Sequence, residues 1–196
     1  MKIVAFSDCH WLYKQIKKFP KADICIFAGD WCGSGESFYE TLHFVNWFEK
    51  LPYNYKILIP GNHDIFCENN ISLCKEMFRE NGAVLLIDEM IEVNGLKIYG
   101  TPWSPEFNNW AFMKPEKELK TIFKHIPANL DILITHTPPK GICDPNGYGS
   151  DELRKVLPNI NPKVHIFGHN HNGYGYMENA TTKFYKIGRA SCRERV

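Results

Sequence analysis

The chain has 196 residues, which is long enough to bury a sizeable core and is typical of one domain. Hydrophobic residues make up 44% and charged residues 23%, and the formal net charge is only +1, so the composition gives no sign of stable nucleic-acid or membrane binding. No apolar run approaches the roughly 20 residues of a membrane helix, and the first residues do not resemble a signal peptide. We therefore expect a cytoplasmic protein with its seven scattered Cys reduced, and we make no prediction of oligomeric state.

Five short apolar runs end at small clusters of Gly, Asp, Asn or His. The runs are residues 2–6, 24–28, 57–59, 132–134 and 164–167. Continuous apolar runs of this length are typical of buried strands. Since open α/β sheets bind ligands at the carboxyl ends of their strands, we expect the clusters to form one site.

Helical periodicity predicts helices over residues 36–50, 71–80 and 115–125, and another that begins at Ser150. A second group of strands is predicted at residues 84–87, 90–93 and 96–99, with a hairpin at Asn94-Gly95. This order of elements predicts two packed sheets flanked by helices, within one domain over residues 1–186.

The last ten residues, 187–196, differ in composition from the rest of the chain, since they hold three of its five Arg. They resemble the translation of a common sequencing adapter. We interpret residues 187–196 as a non-native tail that replaces the natural carboxyl terminus, with a genuine basic tail as the alternative.

The clusters contain five motifs that together have the residue types of a metal site. They are Asp8-Cys9-His10, Gly29-Asp30, Gly61-Asn62-His63-Asp64, Thr135-His136 and Gly168-His169-Asn170-His171. Each motif alone is weak, because an isolated Gly-Asp or a single His after a strand is usually structural. Five in this order, each closing a strand, indicate a metal site.

These motifs resemble the signature of the calcineurin-like metallophosphoesterase superfamily, over residues 1–186. Longer strings, among them residues 98–103, 107–112 and 168–175, resemble the small metallophosphoesterase-domain-containing phosphodiesterase subgroup. That subgroup hydrolyses phosphodiesters, including cyclic nucleotides, with the help of metal ions. The resemblance implies an α/β (α+β) fold, a four-layer αββα sandwich of two mixed β-sheets flanked by helices.

The resemblance also implies a ligand set for two metal ions. Asp30 would bridge the ions; Asp8, His10 and His171 would complete one site, and Asn62, His136 and His169 the other. Two ions about 4 Å apart neutralise a phosphodiester and generate hydroxide near neutral pH. Mixed nitrogen and oxygen ligands suit Mn, Fe, Zn or Ni better than Ca, without naming the metal.

Four residues have expected roles beyond metal binding. The resemblance implies that His63 is a catalytic residue that protonates the leaving oxygen or stabilises the transition state. Asp64 is either a second catalytic residue that orients the His63 ring or a turn residue. Asn62 and His63 would contact the substrate, and Lys140 is a candidate phosphate contact.

We expect a phosphodiesterase that acts on a small phosphodiester, such as a cyclic nucleotide, by attack of metal-bound hydroxide. Outside the tail the only Arg are Arg79 and Arg154, in predicted helices, and the lack of a nearby bidentate cation favours a singly charged diester. The alternatives are a phosphomonoesterase or protein phosphatase, and a non-catalytic interaction module on the same fold. The aromatic cluster of Trp103, Phe107, Trp110 and Phe112 is expected to be core, with a base-stacking wall as the alternative.

Overall fold

A computed structural model describes residues 1–33 and 35–188 of the chain. The strands are β1 (Ile3–Phe6), β2 (Ile24–Ala28), β3 (Tyr55–Ile59), β4 (Val84–Leu85), β5 (Glu89–Val93), β6 (Leu96–Thr101), β7 (Ser104–Pro105), β8 (Met113–Lys114), β9 (Ile132–Thr135), β10 (Val164–Phe167), β11 (Gly175–Glu178) and β12 (Lys183–Lys186). The helices are α1 (Phe38–Glu49), α2 (Ile65–Asn69), α3 (Ile71–Glu80), α4 (Glu116–Lys124) and α5 (Asp151–Ile160).

Two sheets form the centre of the molecule. One has four strands in the order β1-β2-β3-β4, and the other has six in the order β11-β12-β10-β9-β6-β5. The six-stranded sheet is mixed, because its edge strands β5 and β11 run antiparallel to their neighbours. All described pairs of the four-stranded sheet are parallel, which corrects the prediction that both sheets are mixed.

The two sheets pack face to face through a core of mainly Ile side chains. Ile24 and Ile26 of β2 face this core, together with Ile134 of β9 and Ile166 of β10. The alternate β2 residue Phe27 faces the opposite core, under helix α1. Because both faces of β2 are covered, its sequence is apolar throughout and does not alternate with polar residues.

Helices cover the outer face of each sheet. Phe44 of α1 and Phe78 of α3 pack on the four-stranded sheet, while Phe123 of α4 and Leu153 of α5 pack on the six-stranded sheet. The predicted αββα sandwich is therefore confirmed. Helix α5 begins where predicted, because the Ser150 hydroxyl accepts the N–H of Leu153 at 3.1 Å. No helix among the described residues is long and apolar enough to cross a membrane.

One detail of the second predicted strand group differs from the structure. Val84–Leu85 pairs with β3 of the four-stranded sheet and does not join the hairpin strands. The hairpin itself is confirmed: Val93 pairs with Leu96, and Asn94 has a φ of 49°, which suits a two-residue turn.

The carboxyl end of the described chain lies against the site-bearing strands. Residues 189–196, most of the segment interpreted as a non-native tail, lie outside the described residues, so that interpretation stays a prediction. Ile187 is buried between the sheets, and its N–H donates to the Phe167 carbonyl at 2.8 Å. The buried Lys186 amine lies 3.3 Å from Oδ2 of Asp8.

Candidate metal centre

Five motifs meet where strands β1, β2, β3, β9 and β10 end. Backbone hydrogen bonds tie their loops together: the N–H of Asp8 donates to the Gly29 carbonyl, and that of Gly168 to the His136 carbonyl. The N–H of His169 donates to Oδ1 of Asp8 at 2.8 Å, which joins the two sheets at this edge. The loops therefore bring together side chains from distant parts of the sequence.

Asp8, His10 and His171, the residues expected to complete one metal site, lie together and are called the first group here. Their ligating atoms all lie within 4.8 Å of one another. Nε2 of His10 and Nε2 of His171 are only 3.0 Å apart. Two imidazole nitrogens directed at one another over this distance are arranged as two ligands of one cation would be.

Asn62, His136 and His169 form the second group. Oδ1 of Asn62 lies 2.9 Å from Nε2 of His136 and 2.9 Å from Nδ1 of His169. The other ring nitrogen of His136 donates to the Ala28 carbonyl at 2.8 Å, which fixes the ring orientation and directs Nε2 into the site.

Asp30 lies between the two groups. Its Oδ2 is 3.6 Å from Nε2 of His10 and 3.4 Å from Nε2 of His136. Its Oδ1 accepts the backbone N–H of His63 at 2.8 Å, which fixes the carboxylate. A carboxylate oxygen in this position can bridge two cations. Asp8 also lies within 4.8 Å of both Asp30 and His136, so it faces both groups.

Four of the seven expected ligands have left-handed backbone conformations. The φ angles are 52° for Asp8, 41° for His10, 64° for Asp30 and 69° for His169. Such conformations are uncommon for residues other than Gly and cost free energy, and they concentrate at functional sites. The hydrogen bonds between the loops hold these residues in place.

The electrostatics of the site favour positive charge next to Asp30. Burial opposes ionisation of Asp30, but the neighbouring His136 holds its pKa far below the usual range. Burial would lower the pKa of His136, yet the Asp30 carboxylate raises it to about 9. Burial and the nearby His136 together lower the pKa of His169 to about 4. Two carboxylates, one amide and four imidazoles thus converge, and this donor set fits two ions of the kind expected, Mn, Fe, Zn or Ni.

His63 lies beside the ligand groups at the floor of an open cleft of about 640 Å³. Its Nδ1 is 2.8 Å from the Gly33 carbonyl, so Nδ1 carries the proton that donates to it. Its ring lies against Trp110, with centroids 4.2 Å apart, and meets His10 edge-on. The remaining atom, Nε2, is therefore available to a substrate in the cleft, as the expected catalytic role requires.

Asp64 does not orient the His63 ring, because the partner of that ring is Gly33. The buried Asp64 carboxylate instead accepts the backbone N–H groups of Asp30 at 3.0 Å, Cys32 at 3.0 Å and Gly61 at 2.7 Å. Burial, and then the charge of Asp30, raises its pKa to about 8. The contacts assign Asp64 to shaping the ligand loops, so the expected catalytic role is corrected.

Lys140 lines the cleft, but its amine pairs with Oδ2 of Asp151 at 2.6 Å. The role of Lys140 as a phosphate contact stays a prediction, and this ion pair competes with it.

The members of the predicted aromatic cluster have different environments. Phe112 is in the core, as favoured, whereas Phe107 and Trp110 line the cleft.

Asp144 is a residue that sequence reasoning missed. Its carboxylate accepts four hydrogen bonds, from the backbone N–H groups of Gly141, Tyr148 and Gly149 and from the Asn170 amide. It thereby joins the loop before α5 to the segment that carries His169 and His171. A lone Asp in a loop gives no sequence signal, although the nearby Gly and Pro residues mark the turn.

Comparisons with known proteins agree with this geometry. A family model described as calcineurin-like phosphoesterase matches residues 1–173. Metallophosphoesterase domain-containing protein 1 of Homo sapiens is 34% identical over 211 residues, covering 93% of this chain and 64% of that protein. UPF0046 protein T07D4.2 of Caenorhabditis elegans is 33% identical over 227 residues, covering 99% of this chain and 57% of that protein. The chain thus spans about three fifths of the length of these curated relatives.

Solved structures share the fold at lower identity. TT1561 of Thermus thermophilus has a TM-score of 0.68 and 18% identity, over 96% of this chain and 89% of that chain. A protein described as a novel archaeal phosphodiesterase has a TM-score of 0.51 and 19% identity, over 96% of this chain and 84% of that chain. With a family match over residues 1–173 and the expected ligand types gathered at one edge of the sheets, the chain belongs to the calcineurin-like phosphoesterase family.

Proposed function

We propose that this chain is a metal-dependent phosphodiesterase that hydrolyses small phosphodiesters such as cyclic nucleotides. The position of Asp30 carries the proposal: its Oδ2 lies between His10 and His136, as a carboxylate shared by two ions would. The metal identity is left to experiment among Mn, Fe, Zn and Ni.

The family typically binds two metal ions, and the seven residues Asp8, His10, Asp30, Asn62, His136, His169 and His171 would hold them. When bound, such ions neutralise the phosphate oxygens and activate a water molecule. Asn62, a member of the second group, and the neighbouring His63 both line the cleft, so they are the proposed substrate contacts.

His63 is the proposed general acid. The Gly33 carbonyl accepts the proton on Nδ1, and this contact sets the ring so that Nε2 faces the cleft. In the protonated ring, Nε2 would donate its proton to the leaving oxygen as the ester bond breaks. The ring of Trp110 packs against the imidazole, with centroids 4.2 Å apart, and holds it in this orientation.

The charges in the cleft favour a diester over a monoester. Among the described residues that line the cleft, Lys140 is the single Lys or Arg, and it is paired with Asp151. Glu106 and Glu116 also line the cleft. A phosphomonoester dianion would be repelled by these acidic side chains and would find no Arg to bind it in a bidentate way. A diester carries only one negative charge, so it is repelled less.

Turnover by the full 196-residue chain loaded with Mn²⁺ tests the proposal. We expect kcat/KM for bis-p-nitrophenyl phosphate to exceed that for p-nitrophenyl phosphate, and two metal ions bound per chain. Asp30→Asn should lose both metal binding and turnover, while Asp23→Asn, whose carboxylate accepts the N–H of Lys2 outside the site, should keep them.

Two results would contradict the proposal in different ways. Faster turnover of the monoester would favour the phosphomonoesterase alternative. Full metal loading with no turnover of either ester would favour the non-catalytic interaction module.

A further inference from the structure

The cleft beside the ligand groups is larger than a phosphate group needs. Its volume is about 640 Å³, within the range of pockets that hold drug-sized ligands. Phe107, Trp110 and Tyr148 line it beyond the metal ligands. The proposed reaction does not use Phe107 or Tyr148, and Trp110 contacts His63 with one face only, so this surface has room for another part of the substrate.

Trp110 is held in place by the same loop that carries the proposed general acid. The N–H of the next residue, Ala111, donates to the Asn62 carbonyl at 3.0 Å. The N–H of Phe112 donates to Oε1 of Glu68 at 2.8 Å. These two bonds fix the aromatic segment relative to Asn62 and His63, so a group bound there has a defined position relative to the phosphate.

Tyr148 is also held by a fixed loop. Its N–H donates to Oδ1 of Asp144 at 3.0 Å, and the same oxygen accepts from the Asn170 amide at 2.9 Å. Asn170 lies between the expected ligands His169 and His171. Trp110 and Tyr148 are thus attached to opposite sides of the candidate metal centre.

Phe107 and Tyr148 are unusually exposed to solvent for aromatic residues. Their side chains are 65% and 61% exposed, although both line a concave surface. Covering such rings with a flat apolar surface is favourable, and stacking adds to it. A ligand with an aromatic ring system is the simplest partner for this surface.

The polar lining distinguishes the class of aromatic ligand. The amides of Asn146 and Asn172 line the cleft and can bind the donor and acceptor edge of a nucleobase. Glu106 and the Lys140–Asp151 ion pair leave no excess of positive charge for further phosphates. The chemistry therefore fits one nucleobase and one phosphate, and not a polynucleotide.

We propose that Phe107, Trp110 and Tyr148 form a subsite that stacks on the nucleobase of a mononucleotide substrate. The inference rests on the proposed function, because it assigns the substrate class of the same site. It makes Phe107 and Tyr148 specificity-determining residues, with Trp110 shared between the base and His63.

Calorimetric binding to the Mn²⁺-loaded full chain tests this subsite without turnover. The probes are adenosine 5′-monophosphate and ribose 5-phosphate, which share the sugar and phosphate and differ in the base. We expect the nucleotide to bind roughly 5- to 100-fold more tightly, the range of base–aromatic stacking.

Substitutions then locate the effect. Phe107→Ala and Tyr148→Ala should each weaken binding of the nucleotide about fivefold or more, and change that of ribose 5-phosphate less than twofold. Phe107→Tyr and Tyr148→Phe keep an aromatic ring, so their affinity for the nucleotide should be close to that of the wild-type chain. Tyr39→Ala, at a tyrosine that is 69% exposed on α1 and does not line the cleft, is the matched control.

Equal affinity for the two probes, or alanine variants that weaken both probes alike, would overturn the subsite. These outcomes are independent of catalysis. Failure of the diester assay with a retained preference for the nucleotide would refute the proposed function and leave the subsite standing.

Discussion

The imidazole of His63 and the indole of Trp110 lie face to face, with ring centroids 4.2 Å apart and planes inclined by 32°. The Gly33 carbonyl binds Nδ1 on the ring edge. With one face and one nitrogen occupied, the imidazole is fixed, and Nε2 is the atom directed to the substrate. A general acid benefits from such a fixed position, because proton transfer requires hydrogen-bond distance to the leaving oxygen.

Replacing His63 by Gln should slow turnover by an amount that depends on the leaving group of the substrate. A sugar alkoxide needs a proton as it departs, so kcat for adenosine 3′,5′-cyclic monophosphate should fall about 10²- to 10⁴-fold. The p-nitrophenolate ion departs without one, so the loss with bis-p-nitrophenyl phosphate should be much smaller. Steady-state kinetics on both substrates measure this difference.

Trp110→Phe serves as the control, because it keeps an aromatic face on the His63 ring. The fall in kcat for the cyclic nucleotide in Trp110→Phe should be much smaller than the fall in His63→Gln. Equal losses on both substrates in His63→Gln would argue against proton donation and for a general contribution to phosphate binding.

Gly61 lies where no side chain fits between the two ligand groups. A Cβ at this position would be 2.3 Å from Oδ1 of Asp30 and 2.6 Å from Cε1 of His136. Gly61→Ala should therefore displace both ligands, weaken Mn²⁺ binding about 10-fold or more and reduce turnover in proportion. Metal titration and diester turnover measure the effect.

Gly82→Ala is the matched control for Gly61→Ala. Gly82 follows α3 with a φ of +70° and open space around its Cβ position. The substitution should cost about 1 kcal/mol of stability through backbone strain and leave metal affinity unchanged. Normal Mn²⁺ affinity in Gly61→Ala would contradict the close packing of Asp30 and His136.

The meeting of the expected ligand residues at one edge could be predicted from sequence, because each lies within four residues of the end of a buried strand. Asp8 comes two residues after β1, and Asp30 comes two residues after β2. The short apolar strand fixes where the chain reaches the edge of the sheet, and parallel strands end at the same edge. Local sequence therefore determines which side chains meet there.

The roles of Asp64 and Asp144 could not be predicted, because they depend on loops distant in sequence. Asp64 accepts the N–H of Cys32, 32 residues away, and Asp144 accepts from Asn170, 26 residues away. Both carboxylates satisfy backbone or amide donors in turns that have no periodic pattern. Strands β11 and β12 were also missed: β11, at the edge of the sheet, is largely exposed and lacks an apolar run.

Asp144→Asn should weaken both the metal centre and the aromatic subsite. Oδ1 of Asp144 accepts from Tyr148 and Asn170, and Oδ2 accepts from Gly141 and Gly149. In either orientation the new amide NH₂ would face two donors. We expect a loss of roughly 1–3 kcal/mol in the free energy of unfolding. Mn²⁺ affinity should fall about 10-fold, because Asn170 supports the segment between His169 and His171.

Asp131→Asn is the matched control for Asp144→Asn. Asp131 accepts the N–H of Lys97 at 2.9 Å and pairs with the amine of Lys163, at the opposite end of β9 from the site. This variant should keep its Mn²⁺ affinity in metal titration. Equal Mn²⁺ affinities in the two variants would show that Asp144 has no connection to the metal centre.

His165 should make the metal-free protein sensitive to mild acid. The Thr135 hydroxyl donates to the Thr137 carbonyl at 2.6 Å, so it accepts from Nε2–H of His165 at 2.9 Å. Nδ1 is buried without a partner among the described residues, and burial lowers the pKa of His165 to about 3. The unfolded chain therefore binds this proton first, near pH 6.5, and stability falls from there towards pH 3.

Urea unfolding in EDTA at pH 7.5 and 5.5 measures this sensitivity without interference from metal release. Because the pKa lies far below pH 5.5, the wild-type free energy of unfolding should fall about 1.4 kcal/mol more than that of His165→Gln over this interval. The Gln amide can still donate to Thr135 but does not titrate, so it isolates the contribution of the ring. The same pH dependence in both proteins would mean that His165 titrates normally in the folded chain and that its Nδ1 reaches water.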